Sequence, residues 1–378
     1  MPGSDEVIAL PDGIAHFLEH KLFEEEDGGN AFDRFSLTGA NSNAFTSFDM
    51  TAYLFSCTDS FYENLDILMD FVNHPYFTEE NVSKEQGIIG QEIKMYDDDP
   101  GWRLFFNMLQ AMFVSNPVRT DIAGSIESIA KITPELLYKC WSAFYNPSNM
   151  FLVMVGDVDA EKAMEIVDKY LDKTKDKGKI CREKVEEARL PKKKEVYQKM
   201  SVSKPQFMIG FKEFETDIWG RELLKKQIET RILLSILFGK SSEFFIRLYE
   251  EGLIDGSFSA DAEIEKKYGF SSISGESKDP KAVYQRVMER IEKVKEEGLD
   301  DDEISRIKKV LIGSNLRGYN DVERIGNNFI RDFMAGINPF EFEEIAENIT
   351  KEQLAKRLRE HFVSECAVLS VVEPLEEA

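Results

Sequence analysis

Histidine is scarce in this sequence, and positive charge is in deficit. Only four of the 378 residues are histidine: His16, His20, His74 and His361. Lys and Arg number 47 against 70 Asp and Glu, which gives a net charge of −23. Nucleic acid and anionic membranes both repel so acidic a chain, and we therefore expect neither as a partner. The surplus acid identifies no partner, because solubility alone accounts for it.

Paired cysteines and long apolar runs are also missing. Cys57, Cys140, Cys181 and Cys366 are scattered, which excludes a CxxC metal or redox motif and is typical of reduced core residues. The longest apolar runs, such as residues 150–155, are too short to cross a bilayer. The first residues lack the basic and apolar regions of a signal peptide. We expect a cytoplasmic protein.

What the sequence does contain is enough apolar material for two cores. It is 42% hydrophobic and 11% aromatic, and its length favours two domains. Apolar spacing predicts strands in 42–56, with a turn near Asp49, and a buried strand at 150–156. The predicted helices cover 11–24, 60–73, 79–96, 101–113 and 134–145. Strands grouped among helices without strict alternation indicate the α+β class.

The chain divides into two similar halves. Residues 173–194 have few large apolar side chains, so we place a linker at 176–194, between domains 1–175 and 195–378. The helix-then-strand pattern of 132–157 recurs at 349–374, which predicts two homologous α+β domains with antiparallel-rich sheets. Two unrelated domains with similar patterning remain the alternative. Strands predicted at 195–200 and 206–211 have no counterpart before His16, so the first domain is predicted to lack its opening strands.

His16 and His20 form the motif that carries chemistry. Residues i and i+4 of a helix share a face, so both imidazoles can reach one ion. Glu19 stands beside that face, where its carboxylate could take a proton from an attacking water. This is the H-x-x-E-H pattern, the inverse of H-E-x-x-H. The alternative is an ordinary polar pair on a helix surface.

A third ligand is predicted on the helix at 79–96. Glu85 and Glu92 lie seven residues apart, two turns, and therefore share a face. A zinc ion would give Glu92 a partner, and Glu85 could support a ligand by a hydrogen bond. A solvated acidic helix face explains the same spacing, and both interpretations stay open at this point.

These motifs resemble the pitrilysin family of inverted zincins, which includes insulin-degrading enzyme and mitochondrial processing peptidase. The resemblance is carried by GIAHFLEHKLFE (13–24), NAFTSFDMTAYLFS (43–56) and QGIIGQEIKMYDDDP (86–100), and is closest to bacterial processing-peptidase-like members. It implies Zn²⁺ held by His16, His20 and Glu92, with Glu19 as general base and Glu85 as a supporting acid. It also implies a clamshell of two domains, with domain 1–175 catalytic and domain 195–378 closing over the substrate.

The same resemblance implies how substrate is held. The strand at Asn43, Ala44 and Phe45 would pair with an extended peptide. In the second half, Arg247 beside Gly252-Leu253 matches the family's substrate-binding Arg, whereas Ile254-Asp255 stands where the family has a Tyr. The alternative for Arg247 is a surface pair with Glu250 or Glu251.

We therefore expect a zinc endopeptidase that hydrolyses peptides or unfolded segments in an enclosed chamber, with the water activated by zinc and Glu19. The rival is a non-catalytic, peptide-binding or partner subunit of the same fold. A homodimer, or a heterodimer with an inactive paralogue, is compatible with the sequence. His74 and His361 are expected at loops or helix ends, without metal.

Overall fold

The computed structural model describes residues 8–171, 180, 182–183 and 185–375, so the predicted linker 176–194 lies partly outside the described residues. Helices and strands mix without strict alternation, which confirms the α+β class. The strands are β1 (Asn41–Thr46), β2 (Thr51–Ser56), β3 (Glu195–Met200), β4 (Gln206–Lys212), β5 (Ser259–Ile264), β6 (Gly269–Glu276) and β7 (Ala367–Pro374). The helices are α1 (Ile14–Leu22), α2 (Ala31–Leu37), α3 (Phe61–Asn73), α4 (Glu79–Asp98), α5 (Pro100–Met112), α6 (Ile126–Ile129), α7 (Pro134–Phe144), α8 (Ala160–Tyr170), α9 (Gly220–Phe238), α10 (Glu243–Glu250), α11 (Pro280–Glu297), α12 (Asp301–Gly318), α13 (Val322–Met334), α14 (Phe342–Asn348) and α15 (Lys351–His361).

The chain forms two compact units. The first contains Met1–Tyr96 and Thr120–Lys184, and the second contains Asp97–Arg119 and Val185–Ala378. Helix α5 thus belongs to the second unit, although it lies inside the range 1–175 that the sequence assigned to the first domain. Hydrophobic periodicity marks α5 as a helix with one apolar face, but it does not say which sheet that face covers.

The sheet of the first unit is a hairpin. β1 and β2 pair antiparallel, with Asn41 opposite Ser56 and Thr46 opposite Thr51. The turn between them is closed by the Ser47 N–H, which donates to the Met50 carbonyl at 2.8 Å. The predicted turn near Asp49 is confirmed. Beside the hairpin lies a core of buried apolar side chains from α1, α2, α3, α4 and α7, among them Phe17, Leu22, Phe35, Phe71, Ile89 and Leu137.

The prediction of a strand at 150–156 is wrong. Residues 151–155 form no strand, and Phe151 and Leu152 are 40% and 37% exposed. The matching segment of the second unit, β7, lies between β3 and β4 and bonds to both. No strand of the described residues pairs with 150–156 in that way. An apolar run becomes a strand only where neighbours accept its backbone hydrogen bonds.

The second unit is built on a five-stranded sheet of order β3-β7-β4-β6-β5. The β3–β7 pair is parallel and the other three pairs are antiparallel, which confirms the antiparallel-rich sheet. Helix α5 packs closely on it: a Cβ built at Gly210 would lie 2.4 Å from the Met112 Cε. A side chain at position 210 would have to displace the flexible ends of Met108 and Met112.

Two helices show the internal repeat clearly. α7 and α15 begin and end at positions 217 residues apart. Each is preceded by a threonine, Thr133 or Thr350, whose side chain caps the N-terminus of the helix. No described helix is both long and apolar enough to cross a membrane.

Candidate metal centre

Helix α1 presents both motif histidines. Gly13 precedes the helix with a φ of 89°, and a Cβ there would lie 2.4 Å from the Ala123 carbonyl oxygen, so only glycine fits this entry. Phe17, Leu18 and Leu22 are buried in the core and anchor the inner face. The rings of His16 and His20 meet edge to face with centroids 4.5 Å apart, on the shared helix face that i, i+4 spacing predicts.

Helix α4 brings a carboxylate to both rings. The Nε2 atoms of His16 and His20 lie 3.7 Å from Glu92 Oε1 and Oε2 respectively. One ligand atom from each of the three residues can be chosen so that all lie within 4.8 Å of one another. The side chains are only 12%, 28% and 20% exposed for His16, His20 and Glu92. The three predicted ligands therefore converge in a largely enclosed site.

The spacing of these groups fits a metal better than direct bonding. At 3.7 Å the nitrogens and carboxylate oxygens are too far apart for hydrogen bonds. Ligands held tetrahedrally at about 2.1 Å from Zn²⁺ lie about 3.4 Å from each other. Two imidazole nitrogens and one carboxylate leave a fourth position open, as in catalytic zinc sites. The donor set and its spacing thus suit a zinc ion.

Glu85 fixes the orientation of one ring. His20 Nδ1 lies 3.1 Å from Glu85 Oε1, and a proton on Nδ1 leaves the Nε2 lone pair facing Glu92. The other oxygen of Glu85 is 3.6 Å from the ammonium of Lys21, a fully buried side chain that also pairs with Glu24. Burial raises the pKa of Glu85, but His20 and Lys21 outweigh it and lower that pKa overall. Glu85 is thus an ionised support for His20.

The two imidazoles differ in basicity. Burial, and next the neighbouring His20, lower the pKa of His16. Burial also acts to lower the pKa of His20, but the bond to Glu85 and the charges of Glu85 and Glu92 raise it overall. The neutral form of His16 is therefore favoured, and His16 Nδ1 is buried without a hydrogen-bond partner.

Glu92 has a partner of its own. The Tyr96 hydroxyl, one turn later on α4, donates to Glu92 Oε1 at 2.7 Å. Burial and this carboxylate raise the pKa of Tyr96, so it stays a neutral donor. The bond fixes the rotamer of Glu92 toward the histidines.

Glu19 lies beside the cluster rather than in it. Its side chain is buried and accepts a hydrogen bond from Thr46 Oγ1 at 2.5 Å. Burial raises the pKa of Glu19, and the bond from Thr46 partly offsets this. His20 and Glu92 are near enough to influence the same pKa. A buried carboxylate with a raised pKa next to a metal-binding set is suited to accepting a proton.

The predicted substrate strand is β1. Asn43, Ala44 and Phe45 lie opposite Leu54, Tyr53 and Ala52 of β2, and within the described sheet the other edge of β1 is unpaired. The Ala44 N–H donates to the side-chain oxygen of Asn43 at 2.9 Å. Pairing with a peptide remains a prediction that this open edge permits.

Arg247 lies on α10 in the second unit, about half exposed, with its Nε 3.9 Å from Glu251. This is the surface pair named as its alternative, and its role toward substrate stays a prediction. His74 follows α3 and His361 ends α15, as expected.

Three residues of the site were missed by sequence reasoning. Lys21 and Thr46 contact Glu85 and Glu19, and Tyr96 donates to Glu92. No role was predicted for any of the three, although each lies in a segment that carries the family resemblance. The position of Thr46 at the end of β1 gave no indication, because the contact depends on how α1 packs on the hairpin.

Comparisons with known proteins agree with this fold. Residues 10–125 match the family described as Insulinase (Peptidase family M16), and residues 131–311 match the Peptidase M16 inactive domain. The chain is 42% identical, over 98% of its own length and 87% of the relative's, to the uncharacterized zinc protease YmfH of Bacillus subtilis. This chain belongs to the M16 peptidase family, the pitrilysin family that its motifs resemble.

Solved structures show the same fold. A putative M16-like peptidase from Alicyclobacillus acidocaldarius matches with a TM-score of 0.92 and 34% identity, covering 98% of this chain and 88% of that one. A peptidase M16 inactive domain from Pseudomonas fluorescens matches with a TM-score of 0.77 and 16% identity, covering 97% and 89%. At that identity the second match supports the fold alone. The relatives' names point to zinc as the family metal.

Proposed function

We propose that this chain is a zinc-dependent endopeptidase acting on peptides or unfolded segments, with His16, His20 and Glu92 as metal ligands and Glu19 as general base. The observation that carries the proposal is the convergence of those three ligands, at spacings too long for hydrogen bonds, beside the buried Glu19. The name zinc protease, which relatives of this chain carry, further supports the proposal.

The residues of the chain divide the chemistry among them. The open edge of β1 binds the peptide backbone and orients the scissile carbonyl. Zn²⁺ held by His16, His20 and Glu92 would lower the pKa of a bound water toward about 7 and would polarise the scissile carbonyl. Glu19 accepts the proton of the attacking water and donates it to the leaving amine. Glu85 and Tyr96 hold His20 and Glu92 in place.

The test compares the wild-type chain with Glu19→Gln on a quenched fluorescent peptide library, with zinc content measured on both. We expect Glu19→Gln to retain zinc and to lose about 10²- to 10⁴-fold in rate, because the base is gone while the ligands remain. Glu26→Gln, an exposed carboxylate on the loop after α1, is the matched control and should cleave at the wild-type rate.

Two results would contradict the proposal. Cleavage by Glu19→Gln at the wild-type rate would remove the base from the mechanism. Zinc binding without any cleavage by the wild-type chain would favour the non-catalytic, peptide-binding or partner subunit.

A further inference from the structure

Thr46 makes a contact that the proposed mechanism does not yet use. It is the last residue of β1, and its hydroxyl donates to Glu19 Oε2 at 2.5 Å. The hydroxyl oxygen of Thr46 also lies 3.1 Å from that of Thr51, its partner across the hairpin. Since Thr46 gives its only hydroxyl proton to the carboxylate, Thr51 is the donor in the second bond.

This chain of bonds joins three elements. Thr51 on β2 orients the hydroxyl of Thr46 on β1, and Thr46 holds one oxygen of Glu19 on α1. Charge-assisted bonds of this kind are shorter and stronger than neutral ones. With Oε2 held by Thr46, Oε1 is the oxygen that the proposed mechanism would use to accept the proton of water.

We infer that Thr46 is a positioning residue, which fixes the carboxylate of Glu19 relative to the strand on which the peptide pairs. The inference rests on the proposed function. Thr46 directly follows Asn43, Ala44 and Phe45 in β1, so one rigid strand carries both the substrate edge and the support of the base. The register of the peptide on β1 and the place of the proton acceptor are thereby linked.

Two other polar groups of the described residues already have their charges or hydrogen bonds paired. The cavity lined by Glu25, Asp33, Arg34, Asp70 and His74 is an acidic cluster whose cation and imidazole already pair with Asp70. The buried group around His361 in the second unit has its hydrogen bonds satisfied and no access to solvent.

Thr46→Val removes the hydroxyl while keeping the shape of the side chain. We expect kcat to fall about 10²-fold, since a misplaced catalytic group costs about that much, with KM and zinc content unchanged. Thr46→Ser keeps the donor and should restore most of the rate. Thr38→Val is the matched control: Thr38 donates to Asn64 elsewhere in the first unit, and its loss should leave kcat unchanged.

A second measurement decides the link without relying on activity. Glu19→Ala, Thr46→Val and the double variant form an unfolding cycle, read as shifts in the urea midpoint. If the bond holds Glu19, the shift of the double variant is smaller than the two single shifts combined. Additive shifts would overturn the inference. So would a Thr46→Ser variant as slow as Thr46→Val, or a Thr46→Val variant with a raised KM and an unchanged kcat. If Glu19 and Thr46 are coupled but the wild-type chain cleaves no peptide, the proposed function is contradicted while the inference about Thr46 stands. The two hypotheses can therefore fail separately.

Discussion

Each unit contains a cluster of histidine and glutamate side chains, but only in the second unit is the negative charge of the cluster balanced by Lys and Arg. There, Glu213 pairs with Lys226 at 3.2 Å and with Arg357, and it lies 3.2 Å from His361 Nδ1. His361 is fully buried, and its Nε2 lies 2.8 Å from the hydroxyl of Ser271. One carboxylate thus faces two fixed cations.

The cluster of the first unit has the opposite balance. Glu19, Glu85 and Glu92 bring three carboxylates, whereas Lys21 is the fixed cation in contact with one of them. Its imidazoles are partly exposed, and the 3.7 Å separations leave room between the ligand atoms. Buried carboxylates need a compensating charge. The first cluster therefore holds an excess of carboxylates that a bound cation would offset, whereas the charges of the second are already paired.

The protonation of the histidines follows the same contrast. Burial, and next the positive charge of Arg357, lower the pKa of His361 to about 4, so it is neutral in a closed network. The pKa of His20 is raised, because three carboxylates surround a ring that no fixed cation outweighs. The same residue types form a closed, paired network in one unit and the proposed ion-binding site in the other, according to the charges placed around them.

The largest contrast is expected from metal binding. His20→Ala removes a ligand and should abolish both zinc retention and hydrolysis, a stronger effect than the about 10- to 100-fold loss typical of a supporting residue. His361→Asn should bind zinc like the wild-type chain, although it loses stability. Zinc content after dialysis, measured by atomic spectrometry, separates the two. Equal loss of zinc in both variants would contradict the view that only the first cluster binds the metal.

Local geometry explains how much of this site could be predicted from the sequence. The i, i+4 spacing of His16 and His20 and the two-turn spacing of Glu85 and Glu92 are properties of single helices, and the structure places all four together. The hairpin and the strands of the second sheet also follow local patterns of side chains and turns.

The remainder depends on tertiary packing. Residues 150–156 have the apolar pattern of a strand, but whether they form one depends on neighbouring strands that can pair with them. The same holds for α5, which joins the second unit, and for Lys21 and Thr46, whose contacts require two elements to meet. Nor did spacing predict the buried network of His361, since Glu213 lies 148 residues away in sequence.

A smaller effect, on stability alone, is expected from the second cluster. Glu213→Ala leaves Arg357 buried without its carboxylate, and breaking such a pair costs about 3–5 kcal/mol in the free energy of unfolding. The exposed pair of Glu344 with Arg221 provides the control, since Glu344→Gln breaks only a solvated ion pair and should change the free energy of unfolding far less. Urea unfolding of both variants measures the difference. Zinc content should not change, and a loss of zinc in Glu213→Ala would show that the clusters are coupled.

The smallest effect concerns the one residue through which the second unit is predicted to meet substrate. Arg247 and Arg286 both pair with the exposed Glu251, at 3.9 Å and 2.9 Å, so either change to Ala should alter the free energy of unfolding by less than about 1 kcal/mol. Only Arg247→Ala should raise KM, with kcat little changed, because it alone matches the family's substrate-binding position. Michaelis–Menten measurements on one cleaved peptide compare the two variants. Equal KM values would reduce Arg247 to a surface ion pair and leave the second unit without a demonstrated contact to substrate.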